Sequence, residues 1–241
     1  MVMRQYGKQF MERLENKRFA VFDLDGTLVR WQLYHALVDR LAKNGYLGEG
    51  VYEKLQKARM QWKVRNDDEG FYKYEIELIN IFDDTVEGLD EKVFEEVVDR
   101  VFEQYKDQVY TYTRDLIKDL KFKGYFLIAI SGSHTELVEK MADYYGFDDF
   151  VGTYYAREES RLKKDAFVAS HHKKDLLKGF IKKHNLSLEG SYAVGDTSSD
   201  APMLEMVENA IAFNPDKKLY KLALENNWKV VIERKNVVYE L

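Results

Sequence analysis

"RFAVFDLDGTLVRW" (residues 18–31) decides how this chain is read. Its first part, "FAVFD" (19–23), is a short run of aromatic and β-branched residues and reads as a buried strand. The run ends on Asp23, with Asp25 one residue further and a Gly26-Thr27 turn directly after. Side chains at i and i+2 of an extended segment share a face. Two mutually repelling carboxylates therefore stand together at the mouth of an apolar strand, and they call for a counter-charge.

A second acidic cluster answers the first. "YAVGDTSSDAPML" (192–204) places Asp196 and Asp200 at the end of another apolar run. Further strand-like runs are "YFLIAIS" (125–131), "AIAF" (210–213) and "KVVI" (229–232), with "SYAVGD" (191–196) between them. Helical patterns separate them: "TELVEKMADYYG" (135–146), "KKDLLKGFIKKHN" (173–185) and "APMLEMVENA" (201–210). Nearly continuous apolar strands alternating with helices predict an α/β fold, a doubly wound, mainly parallel sheet covered on both faces. In such a sheet ligands bind at the carboxyl ends of the strands. Asp23, Asp25, Ser131 and Asp196 all arrive there. Crowded oxygen donors with no His or Cys cluster suit Mg²⁺, which keeps charge free for a phosphate.

The stretch from Trp31 to about Thr111 breaks the rhythm. It has no strand pattern, and apolar residues recur at helical spacing: Leu33, Leu37, Leu41; Tyr74, Leu78, Phe82; Val93, Val97, Val101. Some eighty residues exceed any ordinary crossover, so the chain divides into an α/β core, 1–30 and 112–241, and an inserted helical subdomain, 31–111. Trp31, Tyr34 and Trp62 are expected in the core of that helical block. His134 is expected to bond locally, and His171 and His172 to lie on the surface. Between Ser131 and Lys173 the sequence predicts the helix 135–146, a strand near "FVGTYYA" (150–156) and a polar loop "REESRLKKD" (157–165).

Composition narrows the functional classes. A formal net charge of −5 disfavours nucleic acid and anionic membrane surfaces as partners. With no cysteine there is no disulfide or thiolate chemistry. No apolar run approaches a membrane span. The charged opening "MVMRQYGKQFMERLENK" reads as a short helix rather than a signal peptide, which leads to the expectation of a cytoplasmic protein.

"DLDGT" with "GDTSSD" resembles the first and fourth motifs of the haloacid dehalogenase-like (HAD) phosphohydrolase superfamily. "ISGS" (130–133) is similar to its second motif. The third, a lysine before the last acidic strand, falls on Lys173, with Lys174 beside it. The spacing and the helical insertion are similar to the phosphoserine-phosphatase-like branch, in which a helical type-1 cap closes over the site.

That resemblance implies a Mg²⁺-dependent phosphatase acting on a small phosphorylated metabolite through an aspartyl-phosphate. Asp23 would be the nucleophile and Asp25 the general acid and base. Asp23, the main-chain carbonyl of Asp25 and Asp196 would hold the metal, and Asp200 would orient its waters or Lys173. Ser131, the Gly132 amide and Lys173 would hold the phosphoryl oxygens. Thr27 is expected to bond the loop backbone. The same motifs serve phosphotransferases and phosphomutases, and a HAD-like binding or regulatory protein would also keep the fold.

One departure bears on specificity. Phosphoserine phosphatases carry a glutamate nine residues after the nucleophile, which takes the substrate's ammonium. Gln32 occupies that position here, in "RWQLYH" (30–35), with Glu69 or Asp68 as other sources of the charge. The expectation is a substrate other than phosphoserine.

Overall fold

The computed structural model describes residues 17–64, 69–235 and 237–241. The helix expected at the N-terminus and Asp68 lie outside those residues. Eight strands form one sheet: β1 (Lys17–Phe22), β2 (Phe126–His134), β3 (Asp149–Glu158), β4 (Arg161–Phe167), β5 (Leu186–Gly195), β6 (Asn209–Phe213), β7 (Lys229–Arg234) and β8 (Val237–Glu240). Their order is β4-β3-β2-β1-β5-β6-β7-β8. The six inner strands pair in parallel, and only the edge pairs β3–β4 and β7–β8 are antiparallel.

The period-2 alternation of β1 explains why the sheet is covered twice. Phe19 and Val21 pack with Ile128, Ile130, Leu177 and Leu204 in one apolar cluster. Ala20 and Phe22 join Leu127, Ala129, Leu137 and Met141 in another on the opposite face. Connections run outward in opposite directions from β1 and β5, so the crevice between those two strand ends is the switch point where a doubly wound sheet binds ligands.

Among the described residues five helices lie between β1 and β2, the first four being α1 (Leu33–Lys43), α2 (Val51–Lys63), α3 (Gly70–Thr85) and α4 (Glu91–Tyr105). Leu33, Leu37, Leu41, Tyr74, Leu78, Phe82, Val97 and Val101 are buried, so the helical stripes do face inward. The Asp90 carboxylate caps α4, accepting from the Lys92 and Val93 amides. The remaining helices are α5 (Thr111–Phe122), α6 (Thr135–Tyr145), α7 (Lys173–His184), the single turn α8 (Ala201–Leu204) and α9 (Lys217–Glu225). Among the described residues no helix is long and apolar enough to cross a membrane.

Three segments differ from the sequence reading. "REESRLKKD" is not a loop. Glu159 and Ser160 turn with positive φ, and Arg161 opens strand β4. Its polar side chains hide the strand, which is held by backbone: Gly88 N–H donates to Leu162 O, and Leu162 N–H to Leu89 O, each at 2.9 Å. The hairpin thereby ties the sheet edge to the helical block, and Arg157 adds an ion pair to Glu91 at 2.9 Å. "APMLEMVENA" forms only the turn α8, because the chain must already be extended at Asn209 to pair with Tyr192 of β5. Strand β8 carries no apolar alternation toward a core, since all four of its residues are exposed.

Candidate active site

Asp23 follows β1 directly, and its amide donates to Val194 O of β5 at 3.0 Å, fixing it at the switch point. The chain then coils tightly, with the amides of Leu28 and Val29 both donating to Leu24 O. Gly26 makes this turn with φ +80°, and a Cβ there would sit 2.1 Å from Asp196 Oδ2. Glycine is required twice over, by the backbone conformation and by the close approach of the second acidic loop. Gly195 is equally constrained, since a Cβ would lie 2.4 Å from the Asp200 side chain.

Lys173, the first residue of α7, is buried with its Nζ 2.6 Å from Asp23 Oδ1 and bonded to Asp200 Oδ1. Lys174 is exposed and faces Glu205 instead. Asp200 has no exposed surface, and its second oxygen accepts the amides of Asp196 and Thr197, each at 3.0 Å. One oxygen of Asp200 thus holds the lysine and the other holds the acidic loop.

Ligand atoms of Asp23, Asp196 and Asp200 all lie within 4.8 Å of one another. Three carboxylates face one ammonium, leaving unbalanced negative charge in a buried place. Burial, then the neighbouring carboxylates, pushes Asp23 up to about 8 despite Lys173. Burial and Asp23 hold Asp196 well above the carboxylate range. Burial alone would lower Lys173, but Asp200 and Asp23 more than offset it and hold its pKa up. An all-oxygen donor set with excess negative charge fits a hard divalent cation such as Mg²⁺.

Asp25 sits in a different environment. Its Oδ1 accepts the Leu33 amide at 2.6 Å, and its Oδ2 accepts the hydroxyls of Ser131 at 3.0 Å and Ser133 at 2.5 Å. Burial raises its pKa, against those bonds. Ser133 was missed in the sequence. Its signal was the continuation of β2 past Ser131, which puts residues 131 and 133 on one face. Gly132, between them, is half-buried and its carbonyl accepts the Thr153 hydroxyl at 2.8 Å. Gln32 is the half-buried residue before α1, next to the amide that holds Asp25.

Six further side chains are placed. The Thr27 hydroxyl donates to Asp196 Oδ1 at 3.2 Å, a side chain rather than the backbone expected for it. The His134 ring makes no local bond: both its nitrogens are buried without a hydrogen-bond partner among the described residues, and it stacks on Tyr34 with centroids 4.6 Å apart. Trp31 is half-buried: it packs against the main apolar cluster and also lines a cleft. Glu75 of α3, unremarked in the sequence, is raised to about 7 by burial and by Asp25, so a carboxylate of the helical block senses the acidic centre. His171 and His172 are exposed.

Two carboxylates at one strand end, a third and fourth at the adjacent strand end and a buried lysine between them define a phosphoryl-transfer class of site. The family model of haloacid dehalogenase-like hydrolases matches residues 20–205, and the chain belongs to that family. It is 27% identical over 210 residues to a phosphoserine phosphatase of Archaeoglobus fulgidus, covering 86% of this chain but 55% of that protein. It therefore spans little more than half the length of that relative. A histidinol-phosphatase of Neisseria meningitidis serogroup C is 22% identical, over 89% of this chain and 98% of its own. A solved structure described as a phospho-aspartyl intermediate analogue of phosphoserine phosphatase shares the fold, with TM-score 0.61 and 22% identity over 92% of this chain and 96% of that one. The chain is thus a haloacid dehalogenase-like hydrolase by family, similar in sequence to a phosphoserine phosphatase and built on a mainly parallel α/β sheet.

Proposed function

We propose that this phosphatase hydrolyses a small phosphorylated metabolite through an aspartyl-phosphate on Asp23, with Mg²⁺ as cofactor and a substrate other than phosphoserine. The observation that supports the mechanism best is the contrast between the two carboxylates of "DLDGT". Asp23 faces the ammonium of Lys173, whereas Asp25 accepts from two hydroxyls and a backbone amide. Pairs of carboxyl groups in unlike environments divide nucleophile and acid roles between them.

In the first step a carboxylate oxygen of Asp23 attacks phosphorus and the ester P–O bond breaks. The leaving oxygen takes the proton of Asp25. In the second step Asp25 accepts a proton from water as that water attacks phosphorus, and the Asp23–phosphorus bond breaks to release phosphate. Lys173, Ser131 and the Gly132 amide hold the phosphoryl oxygens, and Asp200 keeps Lys173 aimed. Asp23, the Asp25 carbonyl and Asp196 would hold Mg²⁺, which when bound neutralises charge on the transferring group. Residues 31–111 act as the cap. The amide of Leu33, its first helical residue, reaches Asp25, so cap position and the acid are coupled.

Gln32 supports the exclusion of phosphoserine, because a neutral amide replaces the charge that an ammonium would need. Glu69 lies on the surface, 3.4 Å from Lys218. Glu75 of α3 lies 4.0 Å from His35, and burial and Asp25 raise its carboxyl.

The test is turnover of p-nitrophenyl phosphate after removal of metal by chelation, then with millimolar Mg²⁺, with and without glycerol as acceptor. The expected result is no activity until Mg²⁺ is added, with nitrophenol and phosphate released one to one. Full activity in excess chelator would sink the metal assignment. Nitrophenol in excess over phosphate with glycerol present would make the protein a phosphotransferase.

A further inference from the structure

A cavity of about 440 Å³ lies where residues 30–31 and 105–108 link the helical block to the sheet. Arg30, Arg40, Lys43 and Arg59 line it, against the single carboxylate of Asp39. Four cations around one cleft are unusual in a chain whose net charge is −5. None of Asp23, Asp25, Lys173 or Asp196 lines it. Its volume lies within the range of small-ligand sites.

The cations are only partly satisfied. Arg59 Nη1 pairs with Asp39 Oδ2 at 2.9 Å, yet Arg59 Nε and Asp39 Oδ1 are buried without a hydrogen-bond partner among the described residues. Arg30 pairs with Glu233 at 2.7 Å but remains 43% exposed along its side chain. Lys43 is exposed in the last turn of α1. The indole of Trp31 lies beneath the Arg59 guanidinium, 5.2 Å from its ring centroid, and Tyr105 contributes a second aromatic wall. Convergent arginines select phosphate or carboxylate oxygens, and a half-buried indole with a guanidinium beside it offers a face to a flat ring.

We propose that this cleft is a second ligand site, distinct from the acidic centre, which binds an anion bearing a flat ring, a mononucleotide-like phosphate. The arginines and Lys43 take the phosphate and the aromatic walls take the ring. The site touches both chain crossings between block and sheet. Arg30 N–H donates to Gln108 O at 2.9 Å, and Leu33, which holds Asp25, lies three residues beyond Arg30. A ligand here rests on the joint on which the helical block sits.

The probe is adenosine monophosphate, titrated calorimetrically into the Asp23→Asn protein so that it is not consumed, beside adenosine and inorganic phosphate. The expected result is one adenosine monophosphate per chain, with each fragment bound at least tenfold more weakly. Adding Arg40→Gln and Lys43→Gln, both on α1 and lining the cleft, weakens binding at least tenfold, while adding Ser131→Ala leaves it unchanged. In the otherwise wild-type protein the Arg40→Gln/Lys43→Gln pair keeps turnover of p-nitrophenyl phosphate within twofold, which also shows that the pair folds. Three results would overturn the site: no binding at millimolar probe, binding weakened by Ser131→Ala but not by the cleft pair, or either fragment binding as tightly as the whole. The second would assign the nucleotide to the acidic centre and leave the phosphatase mechanism standing.

Discussion

The amide of Leu33 donates to the carboxylate of Asp25 at 2.6 Å, joining the first helix of the inserted block to the acid of the sheet. Ser131 and Ser133 hold the other oxygen of the same carboxylate. Asp25 is therefore oriented from two sides, by α1 and by β2.

Asp25→Asn keeps the shape and most of these bonds but cannot exchange a proton. Turnover should fall by the ~10²–10⁴ of a lost acid–base group. With an aryl phosphate, whose leaving group needs little protonation, the second step should slow most, so a stopped-flow trace should show a burst of nitrophenol. Steady-state turnover within threefold of wild type would remove Asp25 from the mechanism.

Lys173 and Lys174 are neighbours with opposite expectations. Lys173→Met leaves two buried carboxylates without their partner, and breaking a buried charged set in this way costs about 3–5 kcal/mol. Lys174→Met removes an exposed pair with Glu205 and should change stability by no more than about 0.5 kcal/mol. Urea unfolding of the two variants, beside their activities, measures the difference. Equal effects would mean that the buried lysine does not hold the centre together.

His134 predicts an acid sensitivity. Burial, then Arg157, pushes its pKa down from 6.5 to about 3, so the ring is neutral in the folded protein. The unfolded chain takes a proton below about 6.5, and the folded chain does not until about 3. Stability from this residue is therefore complete above about 6.5 and is lost as pH falls toward 3, reaching a loss of about 2 kcal/mol at pH 5. His134→Phe, whatever its own packing effect, should reduce the change in unfolding free energy between pH 7 and pH 5 by about that amount. An unchanged pH dependence would show that the histidine titrates normally.

How much of this could be read in the sequence depends on which contacts are local. "FAVFD" gave β1 and both carboxylates, because a buried strand and the residues at its end are contiguous. The stripes Leu33-Leu37-Leu41 and Tyr74-Leu78-Phe82 gave helices through their spacing. Strand β4 was hidden by the charged residues Arg161, Lys163, Lys164 and Asp165, because this edge strand is held mainly by backbone pairing, to β3 and to residues 88–89, rather than by apolar alternation. Ser133 and Glu75 went unnoticed for a related reason. Each matters only through Asp25, a residue distant in sequence. The choice of Lys173 over Lys174 was a matter of helix phase, which requires the position of the first turn of α7.

Gln32 makes a prediction about substrates. Replacing one partner of a buried charged pair costs roughly 2–5 kcal/mol, on the order of 30-fold to several thousand-fold in kcat/KM. Phosphoserine should therefore be a poor substrate beside a panel of sugar, alcohol and nucleotide phosphates, and Gln32→Glu should improve it relative to that panel. Phosphoserine as the best substrate by tenfold or more would refute this account of Gln32.

The most direct measurement is chemical trapping of the phosphorylated enzyme. Protein mixed with Mg²⁺ and p-nitrophenyl phosphate is quenched in acid within the first turnovers, reduced with borohydride and mapped by peptide mass spectrometry. An aspartyl-phosphate is reduced to homoserine. The account predicts homoserine at position 23, in the peptide containing "DLDGT", and none in Asp23→Asn, which should also be inactive. Reduction at another carboxylate, or unmodified Asp23 in an enzyme quenched while turning over a substrate whose second step is slow, would contradict it.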